Sequence, residues 1–104
     1  MRWQDLPTPA ALVDLDRLER NCARMTARAA ALGVRLRPHV KTHKTLEAAR
    51  LQVLGAFGGI TVSTLAEARH FAAGGFADIT YAVPLAPRRA DEAVALGRGP
   101  ARLA

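Results

Sequence analysis

Cysteine is almost absent: Cys22 is the only one in 104 residues. A single thiol cannot build a disulfide framework or a multi-cysteine zinc site. Aromatic residues make up 5% of the chain, too few for the stacking platform of a single-strand nucleic-acid binder. No apolar run approaches the ~20 residues that span a bilayer, and the opening residues, Met1 to Pro7, lack the apolar core of a secretory signal. A soluble, cytoplasmic chain with no membrane partner is the expectation. Also missing are Gly-x-Gly-x-x-Gly, the Walker lysine motif and the Gly-x-Ser-x-Gly elbow, which removes dinucleotide, P-loop and nucleophile-elbow sites. Acidic residues are outnumbered, 9 against 15 Lys and Arg, for a net charge of +6. Such an excess suits an anionic partner. Much of it, however, comes from arginines scattered along helical faces (Arg17, Arg20, Arg24, Arg28, Arg50, Arg69). That is the pattern of solvated surface, and no nucleic-acid partner is expected.

What is present is a globular composition, 50% hydrophobic and 23% charged, in a length that allows one domain. Its hydrophobic pattern alternates between two periods. Ala10 to Val13 reads as a short strand after the extended Pro7-Thr8-Pro9 entry. Asp14 or Asp16 can cap the helix that follows, in which Leu15, Leu18, Cys22, Met25 and Ala29 form one stripe. Cys22 is therefore expected to be a packed thiol and not a nucleophile. Gly33 stops the helix. Val34 to Lys41 switches to period two, with Val34, Leu36 and Val40 on one face and Arg35, Arg37, His39 and Lys41 on the other.

Thr45 then opens a second helix, ended by Gly55, and Gly59 to Val62 is a third strand candidate. Thr64 and Glu67 form a capping box for a third helix that runs to Gly74-Gly75. Ile79 to Val83 is a fourth strand, and Pro87 fits the first turn of a last helix ending at Gly97. The tail from Arg98 to Ala104 reads as short and polar. This alternation implies βαβ units and a parallel sheet. A closed eight-stranded barrel takes ~250 residues, so the chain holds at most about half of one. A piece of a longer protein is expected in preference to a small open sheet.

The most informative stretch is Arg35-Leu36-Arg37-Pro38-His39-Val40-Lys41-Thr42-His43-Lys44-Thr45. It puts Lys41 at the C-terminal end of a parallel strand, the edge where α/β folds place reacting groups. Arg37, His39, His43 and Lys44 surround it in sequence, and neighbouring cations disfavour an ammonium. A neutral lysine amine there can attack an aldehyde and form an imine. The alternative is a solvated, basic strand edge with a helix-entry loop. His39 and His43 straddle the strand end with no Cys or Asp beside them, so no metal site is assigned.

Four segments together resemble one family. They are Thr8-Pro9-Ala10, the run Leu12-Val13-Asp14-Leu15-Asp16, the core Arg37-Pro38-His39-Val40-Lys41-Thr42-His43-Lys44, and Ile60-Thr61-Val62-Ser63-Thr64-Leu65-Ala66-Glu67-Ala68. The chain resembles the N-terminal part of the D-threonine aldolase and D-serine dehydratase family, pyridoxal-phosphate enzymes of fold type III. The resemblance runs in order over residues 7–97. It implies an α/β fold whose parallel (β/α) units form roughly the first half of a TIM-type barrel, like the alanine racemase N-terminal domain. Residues 1–104 would then be a partial pyridoxal-phosphate-binding barrel domain lacking the family's C-terminal β domain.

The resemblance also implies roles. Lys41 matches the family's Schiff-base lysine, both catalytic and cofactor-binding, and His39 is a candidate cofactor contact. The cofactor would be pyridoxal 5'-phosphate. A divalent metal belongs to the full-length family, with ligands outside these residues. The substrate would be a small D-amino acid, and the full-length family implies a homodimer. One expected reaction cleaves a D-3-hydroxy amino acid to glycine and an aldehyde, and the alternative is D-serine dehydratase chemistry. A non-catalytic α/β module that binds pyridoxal phosphate or phosphate is the reading of another class. These residues alone are expected not to turn over substrate. Thr64 is expected to be only a cap, Tyr81 a core residue, and Trp3 a residue packed on a neighbouring segment or subunit. His43 and Lys44 are expected in loop roles.

Overall fold

The computed structural model describes residues 2–104. The first long helix, α1 (Leu15–Ala31), starts where the Asp14 carboxylate accepts the Arg17 amide at 2.9 Å. Asp14 is therefore the cap, and Asp16 contributes acidic charge to the first turn, where it opposes the positive helix end. Helix α2 (Leu46–Val53) follows a basic turn, and strand β1 (Ile60–Val62) leads into α3 (Leu65–Ala73). Strand β2 (Asp78–Tyr81), helix α4 (Ala90–Gly97) and strand β3 (Arg102–Leu103) complete the described elements. Pro87 opens a 3-10 turn ahead of α4, consistent with its fixed φ and missing N–H.

The three strands pair in the order β1-β2-β3, all parallel, with Thr61 opposite Thr80 and Ile79 opposite Leu103. Parallel neighbours need crossovers, and α3 and α4 supply them. The core lies between sheet and helices: Ile60, Val62, Phe71 and Ile79 are fully buried, joined by Val40 and Ala49. Phe71 and Phe76 meet edge to face, with ring centres 5.5 Å apart, a geometry that suits the aromatic quadrupole. Tyr81 packs partly buried against this cluster, as its strand position leads one to expect.

Three sequence expectations are corrected. Ala10 to Val13 forms no strand, and Leu12 and Val13 are largely exposed; no described strand lies alongside to pair with it. The stripe on α1 is not a core face, since no α1 residue is fully buried and Leu15 and Met25 are exposed. Helix α1 lies along α2 and leaves a cavity of about 260 Å³ bordered by Leu18, Cys22, Met25 and Pro38. Cys22 is half-buried there, and burial pushes its thiol up from the usual value. Trp3 is likewise exposed within the chain. The last correction is β3, within the tail read as polar: Arg102 N–H donates to the Ala77 carbonyl at 2.7 Å and Ala104 N–H to Ile79 at 2.9 Å. The radius of gyration is 15.7 Å, against about 13 Å for a closed domain of this length. The units are open, not wrapped.

The stretch read as a strand over Val34 to Lys41 runs extended beside β1 only as far as His39, and touches its ladder at one bridge, His39 opposite Thr61. Pro38 explains part of this, because it has no N–H to give a ladder; its carbonyl accepts the Thr61 amide at 2.8 Å. Arg37 supplies what the backbone does not. Its guanidinium grips Asp78 through two parallel hydrogen bonds, of 3.1 and 2.8 Å, and also donates to the Ile60 carbonyl at 3.2 Å. Such a fork is the strongest form of side-chain pairing. The Phe57 ring lies 5.0 Å from the same guanidinium, within cation–π range. Gly59 makes room for it: a Cβ there would meet the Phe57 ring and lie 2.7 Å from Arg37 Nη1.

The Arg37 hydrogen bonds, aided by the charges of Arg37, Arg102 and Arg35, hold the Asp78 carboxyl below its ordinary range against a smaller opposing effect of desolvation. A carboxyl lowered in the fold stabilises it above the unfolded value near ~3.9 and loses that contribution as pH falls through the folded value. Asp78→Asn should therefore cost about 1 kcal/mol at pH 7 in urea unfolding, the pair being partly screened by solvent. The deficit should shrink below about pH 4. A deficit that is constant from pH 7 to pH 3 would show that this ion pair does not stabilise the fold.

Candidate functional site

The extended segment has Arg37 at one edge of the sheet and Lys41 at the other. Arg37 meets Ile60 and Asp78, the first residues of β1 and β2. One residue beyond the His39–Thr61 bridge the chain leaves the sheet and turns. The turn Val40–Thr42 is 3-10, so Lys41 is not a strand residue facing the same way as Arg35, Arg37 and His39. It stands in a turn just past the C-terminal edge, and its side chain is exposed. Buried Val40 anchors the turn from below.

Side chains brace this turn on both sides. His39 Nδ1 accepts the Lys41 amide at 3.3 Å, making His39 the N-cap of the turn. Its proton then sits on Nε2, a tautomer assigned from the hydrogen bond. The Lys44 amide donates to the Val40 carbonyl at 3.0 Å. Lys44 has φ +55°, a left-handed conformation that costs a residue bearing a Cβ roughly 1–2 kcal/mol. His43 follows the same logic as His39, its Nδ1 accepting the Thr45 amide at 3.2 Å while Nε2 meets Gln52 Oε1 at 2.9 Å. Both histidines thus hold backbone, and neither is presented as part of a metal-ligand cluster. Among the described residues no three of His, Cys, Asp and Glu converge to hold a metal ion.

The crowding of cations suggested by the sequence is dispersed in space. Arg37 is neutralised by Asp78 on the opposite edge. Lys44 Nζ lies 3.5 Å from Glu67 Oε1, and the Glu67 side chain is only 8% exposed. Glu67 also accepts from the Ser63 amide at 2.9 Å and from Ser63 Oγ at 3.2 Å. Desolvation pushes its carboxyl up, but the hydrogen bonds from Ser63 and then Lys44 outweigh it and leave Glu67 below the usual value. Thr64 Oγ1 accepts the Glu67 amide at 3.0 Å, completing the cap on α3; Glu67 returns its side chain to Ser63, one residue earlier than a standard capping box. Thr64 thus has the cap role expected of it.

Lys41 is different. Among the described residues no carboxylate lies within ion-pair distance of it. Lys41 and Lys44 are also the only lysines in the sequence; the other thirteen basic residues are arginines, which do not form imines with aldehydes at neutral pH because the guanidinium stays protonated. Both side chains are exposed, but Lys44 is paired with a buried carboxylate and Lys41 is not. That the chain holds only two lysines was available in the sequence as a simple residue count, and Glu67 as the partner of Lys44 was not.

Parallel strand–helix units with a presented lysine on the carboxyl edge define an α/β architecture, a partial TIM-barrel unit with that edge exposed. The chain belongs to the alanine racemase N-terminal domain family, whose profile matches residues 13–99. It is 56% identical over 93 residues to the D-threo-3-hydroxyaspartate dehydratase of Delftia sp. (strain HT23), a match covering 89% of this chain and 24% of that protein. With the D-serine dehydratase of Dictyostelium discoideum it shares 44% identity over 97 residues, 88% of this chain and 24% of the relative. The crystal structure of D-threonine aldolase from Filomicrobium marinum superposes with a TM-score of 0.85 at 35% identity, over 97% of this chain and 27% of that one. The chain spans about a quarter of the length of the curated relatives it matches. No described helix is long and apolar enough to cross a membrane.

His39→Ala should remove the cap on the Lys41 turn at a cost of about 1 kcal/mol. Amide hydrogen exchange at Lys41 and Lys44 should accelerate about fivefold, while α3 and α4 are unaffected. Unchanged exchange at Lys41 would show that the imidazole does not hold the turn.

Proposed function

We propose that the chain provides the lysine-bearing part of a pyridoxal-phosphate-dependent lyase acting on D-3-hydroxy amino acids. The observation that carries the reading is Lys41 itself, an exposed and unpaired amine on the carboxyl edge of a parallel sheet, in a turn braced from both sides. The donor set fits an aldehyde cofactor. Lys41 offers the amine, and His39 fixes its turn while keeping Nε2–H directed away from the backbone bond it caps. When bound, pyridoxal phosphate supplies an electron sink that weakens the bonds at the α-carbon of an amino acid.

The residues of this chain then have distinct tasks. Lys41 Nζ binds the cofactor and is the group that can give or take a proton beside it. His39 orients Lys41 through its amide and is a positioning residue. Arg37, clamped on Asp78, holds the extended segment in place from the far edge. The bonds broken differ between the two possible outcomes. Cleavage between Cα and Cβ of the substrate gives glycine and an aldehyde. Loss of the β-hydroxyl as water would leave an enamine, whose imine form takes up one water to give a keto acid and ammonia. The two curated relatives described above, at 56% and 44% identity, are dehydratases, which favours the second outcome; the superposed D-threonine aldolase, at 35% identity, speaks for the first.

A binding test needs no substrate. Incubation with pyridoxal phosphate followed by borohydride and peptide mapping should place the label on Lys41. Lys41→Ala should lower total labelling about tenfold, the amine being the nucleophile. Label spread evenly over Lys44 and the amino terminus, or unchanged labelling of the variant, would refute the assignment.

A further inference from the structure

The chain carries two lysines three residues apart, and an aldehyde that approaches this edge meets both. We propose that Glu67 decides between them: its buried carboxylate engages the Lys44 ammonium and leaves Lys41 as the amine presented to the cofactor. The inference rests on the reading of Lys41 given above and adds a specificity-determining residue on a different element, the first turn of α3.

The two amines differ in what it costs to neutralise them. Condensation requires a neutral amine: Nζ releases a proton to solvent, its lone pair adds to the aldehyde carbon, and water leaves as the C–N double bond forms. At Lys41 no carboxylate among the described residues loses a partner when the charge disappears. At Lys44 the same step removes the counter-ion from Glu67, whose side chain is 8% exposed. A buried carboxylate that loses its counter-ion is left less favourable even with its Ser63 hydrogen bonds, although solvent at the 63% exposed Lys44 screens part of the pair. The two hydrogen bonds from Ser63 fix Glu67 in place, so it cannot swing out to water to escape that penalty. Lys44 also sits at φ +55°, and the ion pair helps retain a backbone conformation that a side chain would otherwise relax. The same pair thus both engages one amine and holds the turn that presents the other.

The measurement is the ratio of borohydride-fixed label at Lys41 and Lys44 in the native chain, with the urea-unfolded chain as internal reference. Native protein should favour Lys41 by about tenfold or more, and unfolded protein should show near parity because no ion pair survives. Glu67→Gln keeps an acceptor for Ser63 but not the charge. With native circular dichroism it should move the ratio to within about threefold of parity by raising the Lys44 share. A purely structural role for Glu67 would lower labelling without redistributing it. Should Glu67→Gln fail to fold, Glu67→Asp, which retracts the charge by one methylene, is read in the same way. A ratio unchanged in a folded variant overturns the proposal. Native wild-type protein labelled mainly at Lys44 overturns both it and the Lys41 assignment, whereas a high wild-type ratio that ignores Glu67 sinks the proposal alone.

Discussion

The docking of one extended segment against β1 governs everything at the carboxyl edge. Backbone pairing alone is too sparse to secure it, since Pro38 gives no amide and only His39 bridges to Thr61. The bidentate hold of Arg37 on Asp78, with its further bond to the Ile60 carbonyl, ties the segment to two strands at once. Because Arg37 is fixed at the amino edge, the chain can only emerge at the opposite one. There Val40 enters the core and Lys41 turns outward. Gly59 belongs to the same device, since any side chain there would occupy the place of the guanidinium and the Phe57 ring.

Charge is used in two ways in this small fold. Arginine serves as structure: Arg37 grips Asp78, and Arg69 and Arg89 converge on Glu92 between α3 and α4. Lysine is confined to the edge turn, at Lys41 and Lys44. The division follows from the two side chains, a planar fork suited to carboxylates and a primary amine that can lose its proton. It also reinterprets the net charge of +6, which belongs to packing and surface as much as to any anionic ligand.

Much of this was legible in the residues and some was not. Helix α1 and α3 followed from caps and periodicity, down to Thr64 on Glu67. Lys41 stood out as a candidate from its neighbours and from the family resemblance. The strand proposed at Ala10 to Val13 failed because an apolar tetrapeptide has no strand identity without a partner. Strand β3 was overlooked because two ladder residues behind Gly99 and Pro100 give no period. The spacing of the units did point there, since a step of ~20–25 residues beyond Ile79 reaches Leu103. The face assigned to Lys41 was wrong for a local reason: the His39 cap starts a 3-10 turn, and alternation stops where a side chain satisfies the backbone. Long-range ion pairs such as Arg37–Asp78 and Lys44–Glu67 leave no trace in a single sequence.

Attachment of pyridoxal phosphate at Lys41 is the proposal on which the rest turns. A crystal structure of the chain grown with pyridoxal phosphate should show density continuous with Lys41 Nζ, with Lys44 still against Glu67. Density continuous with Lys44, or cofactor lodged in the groove beside α1 with Lys41 untouched, would contradict it.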